Sequence, residues 1–502
     1  MKVKNLMNIE NKIAHRLPSP KIQMQSASPF GAKWLFLIGL FVIAFTVFNR
    51  NEVAFAANYY VDQSCTFDGN GLADQCASSS GAPGAYLDPQ SCFSAVQAGD
   101  TCLIKNGTYI TSHAGNPQSY NGGFHVDHSG TSSSRITIKN YPGHTPFLVN
   151  CSVSTAVYCS NPTITTNGQS YITFDGLKVQ GAFTTWGLSD TNYASGITIQ
   201  NSEITVGWDY STDANWAGIF TQYQTNQTIQ NLYMHDLRLT GGLTTPGGSC
   251  MKVYYNTNLI FQYNSCINNS VPATEGVDEK AHGANNIYRY NYFENIPDCL
   301  RLNNNQPLGT SSILFYGNVC YNIGFAGFQL DGGTSLDQSF VYNNTFYQPS
   351  SGVCVYSLAT ATSNISFYNN ICYVPGTTSE NGNYVSYGSA LGGTMDYNRF
   401  QSGKQYRPDN THSYSTLASF QSGYGKDLHS SETACNFVNP GTDFHLQTGG
   451  SCKGWGHVGG IPTGASVDVG AYGVTSCVGY GCINGPRDIT PPSIPTGLLI
   501  LP

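Results

Sequence analysis

Residues 317–320 read Gly-Asn-Val-Cys, and near-copies of this segment recur through the second half of the chain. The six copies are Tyr263-Asn264-Ser265-Cys266, Tyr290-Asn291-Tyr292-Phe293, Gly317-Asn318-Val319-Cys320, Asn343-Asn344-Thr345-Phe346, Asn369-Asn370-Ile371-Cys372 and Tyr397-Asn398-Arg399-Phe400. Their second position is always Asn, and consecutive copies are 26 to 28 residues apart. A fixed period of this length, without a helix in each repeat, predicts a β-solenoid. We attribute the recurring Asn to the left-handed conformation that a sharp bend between strands requires.

The fourth position of the copies alternates between Cys and Phe, which predicts an inward stack on successive coils. Each repeat also contains an earlier strand-like segment, and five of these segments are 251–254, 277–280, 300–303, 328–331 and 353–356. Strand alternation directs their first and third positions inward and their second and fourth positions outward. Glu279 falls on an inward position, which breaks the apolar pattern and leaves a one-residue shift of register open.

The outward positions of these segments carry most of the polar side chains that we expect on one solvent-facing sheet. They are Lys252, Tyr254, Asp278, Lys280, Arg301, Asn303, Gln329 and Asp331. Coils of a solenoid stack about 4.8 Å apart, so side chains from adjacent coils can act together.

The composition agrees with an all-β protein of many short strands and turns. Gly, Asn, Ser, Thr and aromatic residues dominate, with 55 Gly and 33 Tyr among 502 residues. The net charge is −7, and Lys and Arg are not clustered. Both features argue against nucleic acid as a partner and favour an extracellular enzyme or surface protein.

The N-terminal segment predicts export. Residues 34–48 form an apolar run after a basic start, and Ala54-Phe55-Ala56 follows as a small-residue cleavage site. The run is short for a bilayer span, so we interpret residues 1–56 as a leader with a signal peptide. The protein would then be secreted or at the cell surface, and attached to a membrane only if the leader is uncleaved.

Export gives meaning to the 16 cysteines, which occur in close sequential pairs. In an oxidising compartment they predict local disulfides, although other pairings stay open. The pairs are Cys65/Cys76, Cys92/Cys102, Cys151/Cys159, Cys250/Cys266, Cys299/Cys320, Cys354/Cys372, Cys435/Cys452 and Cys477/Cys482.

The solenoid domain is expected to span residues 57–482. Within it, 443–447 and 468–472 have the character of a segment that closes the C-terminal end of the solenoid. Residues 483–502 are a Pro-rich linker and resemble the start of a fibronectin type III module.

The window 275–301 stands out because the whole chain is only 10% charged. It contains charges of both signs together with His282, and they are Glu275, Asp278, Glu279, Lys280, Arg289, Glu294, Asp298 and Arg301. Because charged residues are otherwise rare in this chain, their clustering in this window predicts that the active site lies here.

With these residues in view, the chain resembles the secreted right-handed parallel β-helix proteins of the pectate-lyase-like superfamily. The resemblance rests on the Tyr59-Tyr60-Val61 start, the N-terminal cap around residues 98–109, the Asn repeat and the 468–472 close. It implies an all-β, right-handed parallel β-helix with an N-terminal cap and disulfides.

The charged window resembles, more narrowly, polysaccharide lyase family six, the alginate lyase and chondroitinase B group. Glu275, Lys280 and Arg301 match the family's order and spacing. The resemblance implies β-elimination on an acidic polysaccharide, with Lys280 as base and Arg301 as charge neutraliser or acid. It also implies a Ca²⁺ ion, for which Glu275 and Asp278 are the candidate ligands. Two positions depart from the family, which usually has an acidic residue at 273 and His-Gly after the Arg.

The remaining outward side chains are candidate substrate contacts, namely Lys252, Tyr254, His282, Asn303, Gln329 and Asp331. Three functions stay open at this point. The first is a secreted lyase acting on a uronate-containing polysaccharide as a monomer. The second is a non-catalytic carbohydrate-binding or adhesion protein in which the charged residues form a surface ladder of ion pairs. The third is a glycoside hydrolase that pairs Asp278 with Asp331.

Overall fold

A computed structural model of the protein describes residues 56–111, 123–150, 162–205, 217–237, 248–268, 274–281, 283–303, 312–331, 336, 338–349, 352–359, 364–374, 382–388, 392–462 and 468–473. Several predictions lie outside these residues: those on the leader up to residue 55, His282, the pairs Cys151/Cys159 and Cys477/Cys482, and the linker 483–502. No helix in the described part of the chain is long and apolar enough to cross a membrane.

Three parallel sheets, named A, B and C here, form the body of the described chain. The chain visits them in turn, and each strand pairs with the strand one coil before and one coil after it. Sheet A consists of Asn58–Val61, Thr101–Ile104, Ile136–Asn140, Ile172–Asp175, Thr198–Gln200, Thr228–Gln230, Ile260–Gln262, Asn286–Arg289, Ile313–Tyr316, Ser339–Tyr342, Ile365–Tyr368 and Met395–Asp396.

Sheet B consists of Thr108–Ile110, Phe147–Val149, Lys178–Gln180, Glu203–Thr205, Tyr233–His235, Ser265–Ile267, Tyr292–Glu294, Val319–Tyr321, Thr345–Tyr347 and Ile371–Tyr373. Sheet C consists of Phe124–His125, Ile164–Thr165, Phe183–Trp186, Ala217–Gln222, Gly248–Tyr254, Thr274–Ala281, Asp298–Leu302, Ala326–Leu330, Val353–Ser357, Gly382–Ser386 and Gln405–Arg407. The inward side chains of all three sheets form one continuous apolar core. The parallel β-helix predicted from the period is therefore confirmed.

Short elements complete the described chain. The first helix, Pro89–Ala95, begins with Pro after the N-cap Asp88 and packs against the first coil, where Phe93 contacts Phe124 in the core. The second helix, Leu417–Tyr424, stacks Phe420 on Tyr406 of the last strand of sheet C. Two small sheets pair Ala194–Ser195 with Gln224–Thr225 and Phe437–Asn439 with Asp443–Leu446, and a 3₁₀ turn spans Ala471–Gly473.

The recurring Asn has a different role from the predicted one. The left-handed residue is the one before it, as at Tyr290 with φ 57° and Gly317 with φ 66°. The Asn side chains instead form a ladder inside the helix. Asn318 is fully buried; its Nδ2 donates to Asn344 Oδ1 in the next coil at 3.0 Å, and its Oδ1 accepts from the backbone N–H of Asn291. The position requires an amide because only an amide both donates and accepts in this way.

Six of the predicted disulfides lie in the described residues, and all six are confirmed: Cys65–Cys76, Cys92–Cys102, Cys250–Cys266, Cys299–Cys320, Cys354–Cys372 and Cys435–Cys452. The three that join sheet C to sheet B are buried in the core on alternate coils. On the coils between them, Gly276 faces Phe293 and Gly327 faces Phe346. A Cβ on Gly327 would lie 2.1 Å from the Phe346 ring, so the Phe fills the space that a disulfide takes elsewhere.

The sequence led us to expect that 443–447 and 468–472 close the C-terminal end of the solenoid. They do not. Phe437 and Phe444 pack on the outer face of sheet B, where Phe444 contacts the rings of Tyr321 and Tyr347. Further along, Gly470 N–H donates to the backbone carbonyl of Asn369. The segment lies along the side of the last coils because the outward residues of sheet B there are apolar or aromatic and need cover.

Candidate active site on the outer face of sheet C

One row of outward side chains runs across sheet C in register. From strand to strand it is Thr184, Phe220, Lys252, Asp278, Arg301, Gln329, Tyr356, Val385 and Arg407. The intervening positions, such as Val277 and Leu300, point into the core. The row follows from strand alternation, so the structure brings Lys252, Asp278, Arg301 and Gln329 together as the sequence indicated.

Glu279 points inward, as strand alternation predicted. It pairs with Val253 and Leu302, so the one-residue shift that the sequence left open does not occur at this position. Its side chain is fully buried inside the helix. One carboxylate oxygen accepts from Tyr288 Oη at 2.6 Å and the other accepts from Asn286 Nδ2 at 2.8 Å. Glu279 thus has hydrogen-bond donors on both oxygens in the core and is separated from the outer site by the sheet itself.

Two lysines share one carboxylate in the middle of the row. Lys252 Nζ lies 2.7 Å from Asp278 Oδ2, and Lys280 Nζ lies 3.8 Å from the same oxygen. Lys252 and Asp278 are 0% and 1% exposed, so the solvent-facing position expected for them is wrong. Lys280 is half-buried and follows a register irregularity in the strand pairing. A lysine without exposed surface persists only with a counter-charge, which Asp278 supplies.

Arg301 binds two acidic side chains from the neighbouring coils. Its Nη1 donates to Glu275 Oε1 at 2.5 Å, and its Nε donates to Asp331 Oδ2 at 2.7 Å. Gln329 Nε2 donates to Asp331 Oδ1 at 2.6 Å and so fixes that carboxylate. The Arg301 side chain keeps 26% of its surface exposed. Its hydrogen bonds to the two carboxylates use three of the five N–H groups, so the edge between Nη1 and Nη2 keeps two donors for a ligand.

Burial and neighbouring charges shift the proton affinities of this cluster. Desolvation, with the positive charge of Lys252, lowers the pKa of Lys280 below its ordinary value. Burial, with the negative charge of Asp278, raises the pKa of Glu275 to about 7. Asp298 lies beside Glu275 on the next strand, and burial and Glu275 raise the pKa of Asp298 well above its usual range.

The predicted calcium ligands, Glu275 and Asp278, lie next to positively charged side chains. Glu275 Oε2 and Asp278 Oδ1 are buried and accept no hydrogen bond from a described residue. Calcium binds six to eight oxygens, whereas the other oxygen of each of these carboxylates is already in an ion pair, Asp278 Oδ2 with Lys252 and Lys280 and Glu275 Oε1 with Arg301. The residues present therefore do not fit a calcium site, and calcium remains an untested prediction.

The other predicted site residues are placed as follows. Tyr254 ends the strand that carries Lys252, and its ring packs on Phe220 of the preceding coil with ring centroids 5.4 Å apart. Asn303 directly follows the strand Asp298–Leu302 that carries Arg301, and its backbone N–H donates to the carbonyl of Glu279. Sequence reasoning gave no role to Asp298, Tyr356 or Arg407, although extending the outward row by the same period would have found the last two.

Comparisons with known proteins agree on the fold. Residues 162–346 match the family described as a right handed beta helix region. The chain is a right-handed parallel β-helix. This confirms the predicted fold class. None of the curated proteins matches the sequence.

Solved structures similar to this β-helix include several that act on polysaccharides. Pectate lyase Pel9A is 16% identical, with 84% of this chain and 97% of that chain covered and a TM-score of 0.49. A rhamnogalacturonan lyase is 14% identical, with 66% and 87% covered and a TM-score of 0.44. A mannuronic acid specific family 6 lyase from human gut microbiota is 12% identical, with 64% and 75% covered and a TM-score of 0.40. At these TM-scores, none of them identifies the activity of this chain.

Proposed function

We propose that this β-helix cleaves an acidic, uronate-containing polysaccharide by β-elimination at the outer face of sheet C. The observation that carries the proposal is the half-buried Lys280, whose pKa is lowered by burial and by Lys252, beside the open edge of Arg301. A lysine of lowered pKa next to a fixed cation meets the two needs of this reaction, a neutral base and a neutralised carboxylate.

The proposed chemistry uses only residues of this chain. Arg301, held by Glu275 and Asp331, binds the uronate carboxylate through its exposed edge and makes the adjacent C–H more acidic. The neutral amine of Lys280 removes that proton, the electron pair forms the ring double bond, and the bond to the glycosidic oxygen breaks. The resulting Lys280 ammonium returns the proton to the leaving oxygen, so the base is restored.

Lys252 is a positioning residue in this proposal. It is completely buried, so it does not touch the substrate. Its charge disfavours the protonated form of Lys280, and its bond to Asp278 keeps that carboxylate from pairing closely with Lys280.

A second candidate function is a non-catalytic polysaccharide-binding face, and the two ion pairs of Arg301 favour it. Two carboxylates already accept from this guanidinium, as in a ladder of ion pairs that only holds adjacent coils together. The hydrolase alternative is less well supported. Asp278 and Asp331 are both in ion pairs, whereas a hydrolase pair needs one protonated carboxyl group.

The test is the ultraviolet absorbance of unsaturated uronate products from alginate, pectate and glycosaminoglycans. Each polymer is assayed with calcium and with chelator, which also tests the predicted metal. We expect Lys280→Ala to lower the turnover rate by about 10²-fold or more, as for loss of a general base. The matched control is Lys453→Ala, because Lys453 is exposed in the C-terminal segment. Products that persist unchanged in Lys280→Ala, or no products from the folded protein on any polymer, would contradict the proposal.

A further inference from the structure

Beyond the charged cluster, the outward row of sheet C ends in an exposed aromatic group with an arginine. Tyr356 and Val385 follow Gln329 in the row, and Arg407 follows Val385. Tyr387 comes two residues after Val385 and is 40% exposed. The group therefore continues the same face as Arg301 and shares its orientation.

The side chains of this group contact one another in a connected surface. The rings of Phe325 and Tyr356 lie 4.6 Å apart, and those of Tyr356 and Tyr387 lie 5.9 Å apart. The guanidinium of Arg407 lies 4.1 Å above the Tyr387 ring. Phe325 is 37% exposed and Tyr387 is 40% exposed, so the group presents aromatic surface to solvent. Such exposed rings in a row of polar and charged residues mark a binding surface more than a folding requirement.

Arg407 differs from Arg301 in its partners. Arg301 is held by two carboxylates, whereas Arg407 forms no ion pair with any residue in the described parts of the chain. Its polar contact is one long hydrogen bond from Nη2 to the carbonyl of Asn410 at 3.4 Å. The cation–π contact with Tyr387 restrains the guanidinium and uses none of its N–H donors, so most of them remain for an anion.

The spacing fits a polymer better than a small molecule. Arg407 lies four strands beyond Arg301 in register, which is roughly 19 Å at the usual strand spacing. A sugar residue is about as long as one coil step, so a chain running along the helix axis would span the interval with roughly four residues. Aromatic faces for sugar rings and a free guanidinium for a carboxylate match a uronate polymer.

We propose that Tyr356, Tyr387 and Arg407 form a distal subsite that binds one uronate unit of a polymer whose cleaved bond lies at Lys280. The subsite rests on the proposed function for the class of polymer, but not for the reaction. The polymer runs along the outer face of sheet C, with a carboxylate on Arg407 and a sugar ring against the exposed tyrosines.

The experiment measures polymer binding by calorimetry and affinity electrophoresis with alginate, pectate and glycosaminoglycans, in the Lys280→Ala background so that cleavage does not interfere. We expect Arg407→Gln to weaken binding of the long polymer about tenfold, because it removes one charged hydrogen bond. We expect a loss of about the same size in Tyr387→Ala, because that ring is the proposed face for a sugar and also restrains Arg407. Binding of a uronate trimer, which is too short to reach both sites, should be unchanged. Lys453→Gln is the control on another surface, and equal melting temperatures verify folding.

Several outcomes would overturn the subsite. Unchanged polymer binding in both variants would do so, as would no binding of any polymer by the folded protein. An equal loss for polymer and trimer would place the effect at the charged cluster instead. If sedimentation finds a dimer that Tyr387→Ala dissociates, the surface is an interface between two copies. Polymer binding that depends on Arg407, together with no elimination product when the protein with Lys280 intact is given the same polymer, would sustain the subsite and remove the lyase proposal.

Discussion

At the scale of single residues, the candidate site is built around Lys252 and Asp278, an ion pair that water does not reach. A buried ion pair contributes little net stability, but a single buried charge left without its partner is costly. The pair therefore constrains what stands around it. Lys280 meets a fixed positive charge, and Glu275 meets a fixed negative one, because neither member can leave or be screened by water.

Glu275 gives the first pH prediction. Its pKa is about 7 in the folded protein and near 4.5 when unfolded, so between these values the folded state holds a proton that the unfolded state has lost. Stability from this group is therefore present at low pH and declines as pH rises from about 4.5 to 7. We expect the stability difference between wild type and Glu275→Gln to fall by roughly 2–3 kcal/mol from pH 5 to pH 8.

Urea denaturation at both pH values measures this difference, with matched ionic strength. A difference that is constant or grows with pH would mean that Arg301 keeps Glu275 ionised throughout the range. The same comparison tests the environment of Lys280, because the charge on Glu275 acts on that amine as well.

At the scale of elements, the Asn ladder holds one coil to the next from inside. Asn318 Nδ2 donates to the carbonyl of Tyr288 and to Asn344 Oδ1, and its Oδ1 accepts from Asn291. None of these groups has access to water. Each rung therefore satisfies backbone groups that the bend between sheets A and B would otherwise leave unpaired.

Removal of one rung should be expensive. Asn318→Ala leaves at least two buried polar groups without partners, at about 1–3 kcal/mol each, so we expect a loss of roughly 2–6 kcal/mol. Gln230→Ala is the matched control, because its amide belongs to a ladder on the outer face of sheet A where water can replace the lost partner. We expect a loss below about 1 kcal/mol there. If urea denaturation shows equal losses of stability in Asn318→Ala and Gln230→Ala, the buried ladder contributes no more to stability than the ladder on the outer face.

The period of the Asn positions was sufficient to predict coils, strand order and the outward row, because strand geometry converts sequence spacing directly into position. It predicted the inward Glu279 for the same reason. It did not predict that Lys252 is closed to water or that 443–447 packs on the side of sheet B. Those features depend on contacts between residues far apart in sequence, which a local pattern does not contain. The role of the ladder Asn was misassigned because the left-handed residue is its immediate neighbour.

At the scale of the whole molecule, the interior repeats with a period of two coils. Cys299–Cys320 and Cys354–Cys372 cross the core on alternate coils, and a Gly facing a Phe takes the same place between them. Gly327 is in register with Cys299 and Cys354, and Phe346 is in register with Cys320 and Cys372. The two arrangements are therefore alternative fillings of one cross-section.

This equivalence predicts a new disulfide. We expect the double variant Gly327→Cys/Phe346→Cys to form a bond across its coil, so that no additional thiol reacts in the denatured, unreduced protein. Gly327→Cys alone should be destabilised, because its Cβ would meet the Phe346 ring at 2.1 Å. Thiol titration and peptide mass spectrometry measure both. Two free thiols in the folded double variant would show that the coils differ in cross-section.

Because the row on sheet C is in register, any two of its residues are separated by a whole number of strand spacings. Each repeat advances the outer face by one strand spacing and leaves the ladder, the core and the neighbouring rows in phase. Insertion or deletion of one whole repeat between Arg301 and Arg407 would change their separation by one strand spacing without altering either residue. In the proposed polymer complex, the length of polymer that spans Arg301 and Arg407 would therefore be set by the number of repeats, and that length could change while the contacting side chains stay the same.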